Sequence, residues 1–106
     1  MISSEDNRIL EEFAHRIRER YPDARVWAFG SRARGDSEWD SDFDACVVMP
    51  RMDREQRGFI QEVAFQTGLE HSRVIIAICY SLEQFERGIP SSSLLVRTIQ
   101  EEGIAA

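Results

Sequence analysis

The strongest constraint on the fold is the run Arg73-Val74-Ile75-Ile76-Ala77-Ile78-Cys79-Tyr80, in which every residue after the first is apolar. Its length and its β-branched residues select a strand over a stretch of helix. It shows no alternation of apolar and polar residues, so it reads as a central strand covered on both faces. The rest of the chain must supply its neighbours and its covers.

The covers are legible as helices. Residues 3–21 carry Ile9, Leu10, Phe13, Ala14 and Ile17 at helical spacing. Ser3 or Ser4 can cap this segment, Glu5 and Asp6 suit its positive end, and Tyr21-Pro22-Asp23 ends it. Asp53 caps a second helix, with Phe59, Ile60, Val63 and Ala64 inward and Gly68 as its expected stop. A short helix starts at Ser81 and halts before Gly88 and Pro90, and one of Ser91, Ser92 or Ser93 caps a last helix to about Glu102. Residues 24–29 and 42–49 read as two further strands, the second stopped by Pro50. The expected fold is α+β (α/β), a small mixed sheet with helices on it, formed by residues 1–106 as one domain.

Composition excludes several classes. The 106 residues are 42% apolar, enough for one core, and a domain this small gains from a stabilising partner. No segment approaches the roughly 20 apolar residues of a membrane span. The start, MISSEDNRILEE, is acidic and lacks the form of a secretory signal, so a cytoplasmic location is the default. A net charge of −6 argues against direct nucleic-acid binding, which needs a basic surface. All 13 basic residues are arginine, so no catalytic lysine exists. Cys46 and Cys79 lie within apolar runs and read as buried free thiols. His15 and His71 are isolated in sequence and read as surface or cap residues.

The chemistry-bearing stretch is FGSRARGDSEWDSDFDACVV, residues 29–48. At Gly30-Ser31 a strand ends and a short helix begins, a place where unpaired amides favour phosphate and where glycine admits close approach. A side chain at position 30 is expected to fill the phosphate space while largely sparing the fold. Asp42 and Asp44 are two apart, so on a strand they share one face. Two adjacent carboxylates at the edge of a core fit a divalent cation such as Mg²⁺ or Mn²⁺; a solvated turn entering a strand is the alternative.

Gly30-Ser31, ten intervening residues and Asp42-Phe43-Asp44 together match the pattern GS-x10-DxD. In this the chain resembles the nucleotidyltransferases of the DNA polymerase β superfamily, and in GSRARG their smallest, MNT-type members. The resemblance covers nearly the whole chain and implies the polymerase β-like nucleotidyltransferase fold. It implies that Gly30 and Ser31 hold the β- and γ-phosphates of ATP or another nucleoside triphosphate. It implies that Asp42 and Asp44 bind two Mg²⁺, one on the triphosphate and one activating an acceptor hydroxyl. Arg34 matches an arginine of the family's ARG segment and is a nucleotide-binding candidate. Arg32 stands at a variable position; for both arginines a solvated place or an ion pair to Asp36 or Asp40 is the alternative. Asp36, Glu38 and Asp40 match no metal position.

One departure bears on activity. The resemblance implies a third carboxylate on the neighbouring strand, yet residues 73–80 contain no acid. Glu70 lies just before that strand and is the one candidate to replace it. Two readings follow. In the first, the chain transfers AMP from ATP to a hydroxyl on a partner, the resemblance pointing to a HEPN-type toxin. In the second, the site is degenerate and the chain acts as a binding or antitoxin module.

Overall fold

The structure is a computed structural model that describes residues 1–35, 42–88 and 93–106. Asp36, Glu38, Asp40, Pro90, Ser91 and Ser92 lie outside the described residues, and with them the expectations placed on those positions.

Helix α1 spans Ser4–Arg20 and is capped by Ser3, whose side chain accepts from the Asp6 amide. Its stripe of Ile9, Leu10, Phe13 and Ile17 is fully buried. Strand β1 (Arg25–Phe29) leads through Gly30 into the four-residue helix α2 (Ser31–Arg34). Strand β2 is Phe43–Met49, and helix α3, Arg54–His71, starts at an Asp53–Gln56 capping box. Strand β3 (Ile75–Ser81) passes directly into helix α4 (Leu82–Glu86), for which Ser81 is the cap. Helix α5 (Leu94–Glu102) is capped by Ser93, and the chain returns in a two-residue strand β4 (Ile104–Ala105).

The strands form one sheet in the order β3-β2-β1-β4. β1 is antiparallel to β2 and β4, whereas β2 and β3 run parallel. Alternation along the strands sorts side chains into two cores. One holds Val26, Ala28, Phe43, Ala45, Val47 and Ala77 under α1 and α3. The other holds Phe29, Cys46 and Val48 with Phe85 of α4 and Val96 and Ile99 of α5. Trp27 stacks on Phe85 with ring centroids 5.2 Å apart, closing this second layer. Both cysteines are buried free thiols; burial pushes Cys46 up to about 12, so it has no thiolate character near neutral pH.

Two expectations need correction. The run 73–80 is an edge strand, not a central one. Val74 is 63% exposed and Ile76 42% exposed, because the α4–α5 layer covers only the far half of that sheet face. The outer edge of β3 is instead closed by polar side chains of α3. Gln61 donates to the Ala77 carbonyl at 3.0 Å, and Arg57 donates to the Cys79 carbonyl at 3.2 Å. Gly68 also does not end α3. The helix runs on to His71 and stops at Ser72, in the left-handed conformation with φ 54°. Gly68 serves a close approach: a Cβ there would stand 2.5 Å from the Arg73 carbonyl oxygen, where the chain folds back towards β3. Strand β4 was absent from the sequence reading, since two residues carry no period.

Candidate functional site

The antiparallel register sets Phe29, the last residue of β1, beside Asp44 on β2. The next residue, Gly30, therefore turns directly over the Asp44 carboxylate. Its φ of 75° and ψ of −154° are open to glycine and strained for other residues. A Cβ at this position would come 2.8 Å from Asp44 Oδ2. The turn and the second aspartate are thus in contact, which links the two halves of the spaced motif through space.

Helix α2 begins at this turn without a side-chain cap on its first amides. Arg34 and Gly35 close the turn by donating to the carbonyls of Gly30 and Ser31 at 3.1 and 2.9 Å. Ser31 is half-buried and Arg34 is exposed. The amides that open α2 are polar groups of the kind that can meet an anion.

Asp42 is exposed immediately before β2, and Asp44 is half-buried within it. Burial first, and the charge of Asp42 second, hold the Asp44 carboxyl above its ordinary value of 3.8. Among the described residues, burial and Asp42 both oppose the ionised form of Asp44. Cations with a preference for hard oxygen ligands fit this donor set, and a divalent one would relieve both causes of the shift. Two carboxylates alone repel phosphate, so an anion at this turn would need a cation between it and the aspartates.

The structure decides three residues differently from the sequence. Arg32 is not solvated: it is buried, and its Nη1 lies 3.4 Å from Oδ2 of Asp6 in the first turn of α1. Glu70 does not reach the aspartates; it pairs with Arg16 in the α1–α3 layer, on the opposite side of the sheet. His71 is not isolated, since its Nε2 meets a Glu12 carboxylate oxygen across the same layer. Glu12, Glu70 and His71 each bring a ligand atom within 4.8 Å of the others. Arg16 also bonds both glutamates there and donates to buried Thr67 at 3.2 Å, so the group already holds a cation.

β3 supplies no carboxylate, as expected. Its register settles which face adjoins the site: Ile76 pairs with Asp44, and Val74 shares its face. A broad apolar depression involving Phe65, Leu69 and Val74 lies round the sheet edge, and Val74 links it to β2 by accepting from the Phe43 amide at 2.8 Å. Asp6 was missed as a buried residue because an acid in a first helical turn reads as an ordinary dipole partner. Among the described residues, no helix is long and apolar enough to cross a membrane.

Comparison with known proteins is consistent with this arrangement. No curated protein matches the chain. Among solved structures, a mutant of the toxin–antitoxin pair MntA–HpeT is similar at a TM-score of 0.61 and 17% identity, covering 94% of this chain and 70% of that one. A toxin–antitoxin structure with AMP-PNP is similar at a TM-score of 0.61 and 19% identity, with the same coverage. A proposed nucleotidyltransferase from Sulfolobus solfataricus has a TM-score of 0.59 and 19% identity, covering 94% of this chain and 80% of that one. At these identities the likeness is one of fold. The family model of the nucleotidyltransferase domain matches residues 10–106, nearly the whole length, and on that match the chain belongs to the nucleotidyltransferase domain family.

Proposed function

We propose that the chain transfers a nucleoside monophosphate, AMP from ATP, to a hydroxyl on a partner protein in a Mg²⁺-dependent reaction. The observation that carries this reading is the contact between the Gly30 turn and the Asp44 carboxylate. It places an uncapped set of backbone amides beside a pair of carboxylates, which is the juxtaposition that a metal–triphosphate ligand requires.

Asp42 and Asp44 are the residues that would hold the cation, with Mn²⁺ as an alternative. When bound, the cation supplies positive charge against the phosphate oxygens and the attacking oxygen. Gly30 leaves room for a phosphate where any side chain would intrude. The amides and hydroxyl at Ser31 donate to the β- and γ-phosphates, and Arg34 adds a planar guanidinium from the end of α2. The acceptor hydroxyl gives up its proton to solvent, and its oxygen forms a bond to the α-phosphorus as the bond from that phosphorus to the oxygen bridging to the β-phosphate breaks. Pyrophosphate leaves with the electron pair. The two toxin–antitoxin neighbours support a protein partner, and the family resemblance makes a HEPN-type toxin the proposed one. ATP as donor suits a cytoplasmic setting.

A second reading rests on Ile76. An isoleucine adjoins Asp44 where a further acid would complete an oxygen ligand set, which favours a module that binds its partner without efficient transfer. Incubation with labelled ATP and Mg²⁺, with and without a candidate partner, separates the two. Label on the partner supports the enzyme. Stable complex formation without label supports the binding module.

A further inference from the structure

A helix of four residues cannot hold itself together, since nucleation alone outweighs its few hydrogen bonds. The position of α2 must come from what it touches. Two contacts run from the N-terminal segment to opposite parts of it. Arg32 points inward to Asp6, and both side chains are only 5% exposed. The Met1 amino group donates to the Arg34 carbonyl, and a Cβ on Gly35 would collide with the Met1 backbone. Asp6 belongs to α1, whose neighbouring residues Ile9 and Leu10 are locked in the main core. α2 reaches the same core through Ala33, so the long α1 is the anchor and the Asp6–Arg32 pair sets the orientation of α2 about that contact.

A buried ion pair is a poor source of net stability, because desolvation offsets the attraction. What it offers over apolar packing is direction. Here direction matters, because Gly30 immediately precedes α2 and is already in contact with Asp44. A small rotation of α2 would change the gap between its opening amides and the carboxylate.

We propose that Asp6 and Arg32 are positioning residues that fix α2 at the spacing from Asp44 needed to hold the triphosphate. The inference rests on the nucleotide-binding reading above. Neither residue touches the ligand; each acts through the turn at Gly30-Ser31.

The test uses the intact chain with ATP and Mn²⁺ as the probe, in calorimetry, beside thermal unfolding. Asp6→Asn should weaken binding about tenfold. Should that variant unfold, the double variant Asp6→Leu/Arg32→Met replaces the pair by apolar groups. It should retain the melting temperature yet bind about as weakly as Asp6→Asn, whereas Arg32→Lys, which keeps the charge, should restore part of the affinity relative to Arg32→Met. Arg18→Gln is the control for mere loss of stability. It removes bonds from α1 to the Ala24 and Ala106 carbonyls, far along the helix from Asp6, and should lower the melting temperature at unchanged affinity. Amide exchange gives a readout without ligand: the Arg34 and Gly35 amides should exchange faster in Asp6→Asn and in the double variant than in the parent. Parental affinity in a folded double variant would overturn the proposal, as would unchanged exchange of those two amides. If the parent chain fails to bind ATP with Mn²⁺, the nucleotide reading falls, and the exchange experiment still decides whether the pair fixes α2.

Discussion

Gly30 and Asp44 are in contact: a single carbon added to Gly30 would stand 2.8 Å from the Asp44 carboxylate oxygen. Fourteen positions of sequence separate them, and the β1–β2 ladder removes that distance by pairing Phe29 with Asp44. The site is therefore a product of register, and its main predictions follow from the positions that register brings together.

Gly30→Ala should lose nucleotide binding and stability together. The position has φ 75°, so any side chain is strained there, at a cost of about 1–3 kcal/mol. The expectation that substitution spares the fold is thereby withdrawn. Calorimetry with ATP and Mn²⁺ well below the lowered melting temperature separates the two effects. Normal affinity in the folded variant would make the turn a structural element only.

Asp44→Asn should weaken metal–nucleotide binding by about tenfold or more, yet raise the melting temperature of the metal-free chain. The asparagine keeps the shape and removes a charge that burial and Asp42 both oppose. A variant less stable than the parent without metal would contradict the carboxylate-repulsion account.

The pH dependence has a fixed sign. Asp44 titrates higher folded than unfolded, so its ionisation opposes folding. That penalty is absent below the ordinary value of 3.8, grows as pH rises, and is complete above the raised folded value. Subtracting the metal-free stability curve of Asp44→Asn from that of the parent should give a difference that falls through this acidic window and then stays flat. Saturating Mn²⁺ with ATP should reverse the fall, because binding favours the ionised form. A flat difference across the whole range would show that Asp44 senses no burial.

Ile76→Asp should increase AMP transfer to a partner, since Ile76 is the register neighbour of Asp44 and is already partly in solvent. Ile75→Asp, buried on the opposite face, should unfold the chain instead. No gain from Ile76→Asp in a folded variant would remove the missing carboxylate as the limit on activity.

Glu70→Gln should leave nucleotide binding and transfer at parental levels, because Glu70 is paired with Arg16 in the α1–α3 layer. A loss of transfer without a loss of stability would return Glu70 to the site.

The features legible in the sequence were those set by local rules. Ser3, Asp53, Ser81 and Ser93 all cap helices, because capping depends on the next three residues alone. The apolar stripe of α1 is buried as its period implied. Asp42 and Asp44 were singled out because a chemical spacing is visible in one dimension. What stayed hidden was pairwise. An apolar run cannot say whether its strand is central, and β3 proved to be an edge because only β2 pairs with it in the sheet, and its Ile76 face is left partly uncovered. Arg32 and Asp6 are 26 positions apart, and nothing local to either marks it as buried. Gly68 looked like a stop because glycine ends many helices; the backbone of Arg73 passing beside it is a tertiary fact.

An edge strand normally offers its free carbonyls to any strand that drifts by, which is how sheets extend into aggregates. On β3 that offer is already taken at Ala77 and Cys79 by Gln61 and Arg57 from the same chain. A foreign strand would have to break both bonds before it could pair along the full edge. The two ends of β3 therefore face the outside differently. The Cys79 end is closed to backbone pairing, while the Ile76 end presents bare hydrocarbon next to Asp44. What this edge favours is a visitor that brings side chains rather than a strand, and that same closure should keep the isolated chain from growing into stacked sheets despite its uncovered isoleucine and valine.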